Sequence, residues 1–141
     1  MEKARMCLAV YIGSEIELKE NAWNKNEPNF YIEAVPSANN VRKQFSTTHV
    51  YYAGSHEGCG CGFFKEAREP EEFENVQENY KNLALTIKNA VEAGRKIQLF
   101  SCWEGDQAKQ PEIKVSIGLS EIVNPEFEFK ELKFLNVVSN A

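Results

Sequence analysis

Two of the four cysteines in this sequence lie together in a short segment that is rich in glycine. Cys59 and Cys61 belong to the run Gly-Ser-His-Glu-Gly-Cys-Gly-Cys-Gly-Phe at positions 54–63, in which His56 supplies an imidazole. Glycine has no Cβ, so its backbone adopts turns that other residues avoid, and the Cys-x-Cys spacing directs both side chains to one side of the chain. We therefore expect a tight turn with exposed sulfurs and a positive φ at one or more glycines within 58–62.

A third cysteine, Cys102, lies near the end of a predicted strand and precedes a turn that carries two carboxylates. The glycine-rich segment also follows a predicted strand, and a predicted helix joins the two strands. If these strands are parallel, their carboxyl ends lie at one edge of the sheet, where α/β units bind ligands. The sequence thus predicts that the sulfurs of Cys59, Cys61 and Cys102 share one pocket, with His56 as the preferred nitrogen beside them and His49 as the alternative.

A zinc site is the first interpretation of this set. Cysteine thiolates and histidine imidazoles are ligands that Zn²⁺ binds in a tetrahedral arrangement, and Cys59, Cys61, Cys102 and His56 have that composition. One feature departs from the common pattern. Close cysteine ligands are usually separated by about two to four residues, whereas a single glycine separates Cys59 from Cys61.

Two other interpretations stay open at this point. Cys59 or Cys61 could be a reactive thiol in nucleophilic or redox catalysis if His56 stabilises its thiolate, although the sequence carries no motif of a known thiol enzyme. Alternatively, the cysteines are structural, because cysteine is among the most buried residue types. The protein would then be a non-enzymatic module that binds a partner protein or its own copy. Cys7 lies in an apolar run, so we assign it to the core.

The elements that must position these residues follow from the hydrophobic pattern. Larger apolar residues recur at helical spacing over 70–93, with Pro70 at the start and Gly94 as the stop. The last of the predicted strands changes phase, which predicts a β-bulge near Glu131. We expect a single α+β domain over 1–141, a mixed sheet of about six strands with the long helix on one face. Its strands are predicted at 7–12 (an interior strand), 30–35, 48–53, 96–103, 113–117 and 127–138.

Length and composition limit the class of protein. The 141 residues suffice for one domain, and 43% hydrophobic with 26% charged residues is the composition of a globular chain. The net charge of −5 argues against binding to a phosphate backbone, and no apolar run is long enough to span a bilayer. The first residues lack the apolar core of a signal peptide, so we expect a cytoplasmic protein with reduced cysteines. We expect neither a nucleic-acid nor a membrane partner and leave a homodimer open.

The cysteine segments also carry a resemblance to known proteins. The run His-Val-Tyr-Tyr-Ala-Gly-Ser-His-Glu-Gly-Cys-Gly-Cys-Gly-Phe at 49–63 and the run Phe-Ser-Cys-Trp-Glu-Gly-Asp at 100–106 resemble a family of small bacterial proteins of unassigned function. Its distinctive parts are the Gly-Cys-x-Cys-Gly-Phe segment and the later Cys-Trp-x-Gly segment, and the likeness extends from Cys7 to the last strand. The resemblance implies a bacterial, cytosolic, single-domain protein and supplies no activity. Residues 1–5 resemble an addition before a Met-Cys start.

Overall fold

A computed structural model describes residues 7–27, 29–66 and 68–139 of the chain. Within these ranges the helices are α1 (Pro70–Glu92) and the short α2 (Leu119–Ile122), and 3₁₀ turns lie at Asn40–Gln44 and Gly60–Phe63. Residues 1–6 lie outside the described residues. Two expectations depend on them: the lack of a signal peptide, and the resemblance of residues 1–5 to an addition. The strands are β1 (Leu8–Ser14), β2 (Tyr31–Ala34), β3 (His49–Gly54), β4 (Ile97–Trp103), β5 (Ile113–Gly118) and β6 (Lys133–Val138).

The strands form one sheet in the order β2-β3-β1-β4-β6-β5. Neighbouring strands are antiparallel except β5 and β6, which are parallel. The predicted α+β arrangement, a mixed sheet with one long helix, is therefore confirmed. β1 pairs with β3 on one side and β4 on the other, and all seven of its residues are buried. The prediction of an interior strand is also confirmed, because a strand so uniformly apolar has no face suited to water.

Helix α1 follows the predicted apolar stripe to within one residue at its end. Pro70 occupies the first turn, where no intrahelical N–H is required, and Glu71 and Glu72 stand where the helix dipole favours negative charge. Beyond the last turn, Gly94 has a φ of 80°, which suits glycine. No helix within the described residues is both long and apolar enough to cross a membrane. The buried stripe consists of Val76, Tyr80, Leu83, Ile87 and Val91.

Two layers of side chains cover the two faces of the sheet. The larger core lies between the sheet and α1, and alternate residues of β1 such as Leu8, Val10 and Ile12 point into it. The opposite face packs a smaller core that includes Ala9 and Tyr11, and Val41 from the 3₁₀ turn at Asn40–Gln44 closes this core. The long helix therefore packs on one face only, as the sequence predicts.

The C-terminal segment differs from the prediction at its start. The predicted strand at 127–138 is regular only over Lys133–Val138, and residues 131–132 form a turn in which Leu132 has a φ of 52°. This turn produces the change of phase that the sequence analysis assigned to a β-bulge near Glu131. Before the turn, Phe129 leaves the sheet and stacks on Tyr80 of α1 with a centroid distance of 5.2 Å. Packing against the helix thus replaces strand pairing there.

The packing of α1 predicts the effect of truncating one side chain. Leu83 is fully buried, so Leu83→Ala should lower the free energy of unfolding by about 2–5 kcal/mol through lost burial and a residual cavity. Leu85 lies on the same helix with 65% of its surface exposed, so Leu85→Ala should change that free energy by less than about 0.5 kcal/mol. Urea denaturation followed by circular dichroism measures both. Equal effects in the two variants would contradict the assigned face of the helix.

Candidate metal centre

The cysteines meet at one edge of the sheet. β3 and β4 both run antiparallel to β1, so they are parallel to each other, as expected from the sequence. β1 lies between them, which places their axes about 10 Å apart, two strand spacings. The start of β1 at Leu8 therefore lies at the same edge as the ends of β3 and β4. The segment that follows β3 is next to the start of β1, not next to the end of β4.

Three sulfurs lie close together at this edge. The Sγ atoms of Cys7, Cys59 and Cys61 are all within 4.8 Å of one another, and each cysteine is half-buried. Cys7 immediately precedes β1, whereas Cys59 and Cys61 belong to the cysteine loop, defined here as residues 55–63. The apolar run around Cys7 predicts a core residue. The structure instead places it beside the two loop cysteines.

Cys102 does not belong to this group of sulfurs. Its Sγ is not within 4.8 Å of all three, and its side chain is fully buried in the smaller core, opposite Ala9 in the sheet. Burial, with the carboxylates of Glu104 and Asp106 nearby, raises the pKa of the Cys102 thiol to about 12. The sequence placed Cys102 in the site because it ends a strand parallel to β3. Because β1 lies between β3 and β4, Cys7 at the start of β1 lies beside the loop cysteines, in the position predicted for Cys102.

The two histidines also lie outside the group of three sulfurs. Neither imidazole has a nitrogen within 4.8 Å of all three. His56 belongs to the cysteine loop, but its Nδ1 accepts a hydrogen bond from Nδ2 of Asn79 at 2.8 Å, and its Nε2 lies 3.8 Å from Glu57 Oε2. His49 begins β3 opposite Ser14, the last residue of β1, so it lies toward the far edge of the sheet. His56, the predicted nitrogen ligand, is thus held against α1 instead of lying with the three sulfurs.

Ser55 organises the interior of the cysteine loop. Its backbone N–H and its hydroxyl both donate to the carbonyl of Cys59, and the N–H distance is 2.8 Å. The same hydroxyl oxygen accepts the backbone N–H of Gly62 at 3.0 Å. Ser55 is fully buried, so these bonds form away from water and close the loop on itself. Ser55 is not among the site residues predicted from sequence, although serine after a strand and before glycines is a common turn signal.

Two glycines explain the shape of the loop. Gly58 has a φ of 85°, which confirms the predicted positive φ within 58–62. Gly60 makes a close approach instead, because a Cβ on it would lie 2.0 Å from the carbonyl oxygen of Leu8. The loop backbone therefore rests directly on the backbone at the start of β1. This contact brings the flanking Cys59 and Cys61 next to Cys7.

Asn79 of α1 connects both ends of the loop to the helix. Its Oδ1 accepts the backbone N–H of His56 at 3.2 Å, which fixes the amide orientation because that N–H can only donate. Its Nδ2 then donates to the Gly62 carbonyl at 3.0 Å and to His56 Nδ1. Asn79 is 1% exposed, so both polar atoms of its side chain depend on the loop for partners.

A second brace comes from Arg68. Its Nη2 donates to the carbonyl of Cys61 at 2.7 Å and its Nε donates to the carbonyl of Phe64 at 2.8 Å. Its Nη1 forms an ion pair with Glu57 at 3.0 Å. Charge-assisted bonds of this kind are stronger than neutral ones. The guanidinium therefore fixes the carboxyl end of the cysteine loop and puts a positive charge beside Cys61.

The sulfurs themselves interact. Burial and the neighbouring sulfurs of Cys7 and Cys59 raise the pKa of the Cys61 thiol well above its usual range. The Cys59 sulfur accepts the backbone N–H of Cys61 at 3.4 Å. The Cys61 thiol therefore stays protonated near neutral pH when no cation is present. A bound cation reverses this preference, because coordinating thiols lose their protons.

Similarity to other proteins adds no assignment to this geometry. The chain matches no protein-family profile, no curated protein and no solved structure. The class that the structure defines is therefore an α+β domain with a group of three cysteine sulfurs close enough to hold a metal ion.

The buried amide of Asn79 yields a prediction about the loop. Asn79→Ala should lower the free energy of unfolding by about 1–3 kcal/mol, because the His56 N–H and the Gly62 carbonyl lose a buried partner. It should also speed alkylation of Cys59 and Cys61 in metal-free protein. Asn89→Ala is the matched control, because Asn89 is exposed on the same helix. Urea denaturation and mass spectrometry after timed alkylation measure the two effects, and indistinguishable variants would contradict the bracing role.

Proposed function

We propose that this protein binds one zinc ion through the thiolates of Cys7, Cys59 and Cys61. The observation that carries the proposal is the mutual distance of the three sulfurs, all within 4.8 Å. Zn–S bonds of about 2.3 Å in tetrahedral geometry separate two sulfurs by roughly 3.8 Å. The observed spacing therefore needs little movement to enclose an ion.

The way in which the cysteines are held supports a metal site. Cys7 comes from the start of the sheet and the other two from a loop more than fifty positions later, and the braces from Ser55 and Asn79 shape that loop without help from an ion. The donor set is entirely sulfur, which favours thiophilic ions over magnesium or calcium. Zinc accepts sulfur ligands in tetrahedral geometry and needs no redox partner.

The alternative of a reactive thiol has less support. A nucleophilic cysteine requires a stabilised thiolate at neutral pH, and the pKa of Cys61 is shifted in the opposite direction. His56, the imidazole that the sequence places closest, already bonds Asn79 through Nδ1. The arrangement thus suits ligation of a cation better than catalysis by a free thiol.

Single substitutions distinguish the proposed ligand set, which contains Cys7, from the set predicted from sequence, which contains Cys102 and His56. Cys7→Ser, Cys59→Ser and Cys61→Ser should each weaken zinc binding by more than about 100-fold, since even groups that only orient a ligand contribute about 10- to 100-fold. Cys102→Ala and His56→Gln should leave the zinc affinity essentially unchanged. The measurement is competition with a chromophoric chelator, on protein purified without a metal-affinity step.

The outcomes of this experiment separate the two ligand sets. One zinc per chain that depends on Cys7 supports the proposal. A zinc affinity that depends on Cys102 or His56 and not on Cys7 would restore the set predicted from sequence. A wild-type protein that binds no zinc would overturn the proposal.

The raised pKa of Cys61 makes zinc affinity depend on pH. Zinc must displace at least the proton of this thiol, so the apparent affinity should rise with pH by about tenfold per unit or more between pH 6 and 8, and fall by as much on acidification. Each displaced proton contributes one such factor. Chelator competition at several pH values and constant ionic strength measures the slope. A flat profile would show that the thiols are already ionised in the free protein.

A further inference from the structure

We propose that the zinc ion keeps its fourth coordination position open to solution and that a small thiol binds there as its thiolate. This inference rests on the proposed function. The three sulfurs account for three of the four bonds of a tetrahedral ion. The identity of the fourth ligand is decided by which groups of this chain are free to reach the ion.

The obvious candidates in the chain are engaged elsewhere. Across the described ranges, no His, Asp, Glu or further Cys contributes an atom within 4.8 Å of all three sulfurs. His56 is bound by Asn79 and faces Glu57, and Cys102 is fully buried in the smaller core. A closed structural zinc site takes all four ligands from protein, whereas three protein ligands are the mark of a site with an exchangeable position.

Two tyrosines near the sulfurs are also poor competitors for this position. The loop uses both of their hydroxyls: Tyr31 donates to the Gly58 carbonyl at 2.7 Å, and Tyr52 accepts the Gly60 N–H at 3.1 Å. A tyrosine that turned toward the ion would give up its hydrogen bond to the loop backbone.

The ion is also within reach of solution. Cys7, Cys59 and Cys61 are each half-buried, in contrast to the fully buried Cys102. Part of the surface of each of these three residues therefore faces solution. A ligand of a few heavy atoms would approach the ion from this exposed part.

The chemistry of the site favours sulfur over oxygen as the incoming atom. Three thiolates on one dication leave a net charge of about −1 and a soft ion, which binds sulfur in preference to water. The guanidinium of Arg68 lies on the Cys61 carbonyl at 2.7 Å, and it shares its charge with the carboxylates of Glu57 at 3.0 Å and Glu72 at 3.7 Å. The exchange is balanced: solvent leaves the ion, the thiol S–H releases its proton to the buffer, and the sulfur lone pair forms the new bond. No oxidant or reductant takes part.

Cobalt(II) in place of zinc makes the fourth ligand visible, because the intensity of the sulfur-to-cobalt charge-transfer band follows the number of bound thiolates. We expect 2-mercaptoethanol to raise this intensity saturably by about one third, from three thiolates to four. Ethylene glycol, which has oxygen in place of sulfur, should leave the band unchanged. Gel filtration after the titration measures how much cobalt stays on the protein.

Different failures have different meanings. Retained cobalt with a band that ignores the thiol would show that solvent or a group of this chain keeps the fourth position. A band that falls would show that the thiol removes the ion. Both results overturn the inference and leave the metal site standing. A protein that binds no cobalt or zinc overturns the proposed function itself. Glu2→Gln and Met6→Leu test the N-terminal ligand-type side chains. A thiol effect confined to these variants would also overturn the inference, because residues 1–6 would then fill the position in the native chain.

Discussion

The candidate site depends on one contact between two stretches of backbone. Gly60 lies so close to the Leu8 carbonyl that any side chain on it would overlap the start of β1. Cys59 and Cys61 flank this glycine, and Cys7 directly precedes Leu8. The proximity of the three sulfurs is therefore a consequence of how tightly the loop rests on the strand, and the alternation of glycine with cysteine is what permits it.

Buried polar groups hold the loop in this position. Ser55 and Asn79 are buried, and their hydrogen bonds are directed almost wholly at loop backbone. Movement of the loop away from either residue would cost free energy, because the buried polar atoms of that residue would lose their hydrogen-bond partners. The helix α1 thus contributes more than an apolar stripe: one asparagine on its buried face ties the core to the edge of the sheet at which the cysteines lie.

The local sequence pattern was sufficient to predict most of the fold and two of the three sulfurs of the site. The spacing of apolar residues predicts α1 and the uniform apolar run predicts β1 as interior, because both signals depend only on neighbours in sequence. Strand order depends on contacts between distant segments, so β1 between β3 and β4 was not predictable, and Cys102 was paired with the loop in place of Cys7. The resemblance to a bacterial family, the cytoplasmic location and the expectations about partners stay predictions.

The position of Cys7 ahead of the first strand has a topological consequence. An ion shared by Cys7, Cys59 and Cys61 would close, through its bonds to sulfur, a ring of about fifty residues that contains β1, β2 and β3. Such a cross-link restricts the unfolded chain, and for a ring of this size the chain-entropy description assigns it about 4 kcal/mol. A bound metal would cross-link the amino-terminal half of the sheet. While the ion is bound, the start of β1 could not separate from the cysteine loop, and loss of the ion would free the start of β1 first.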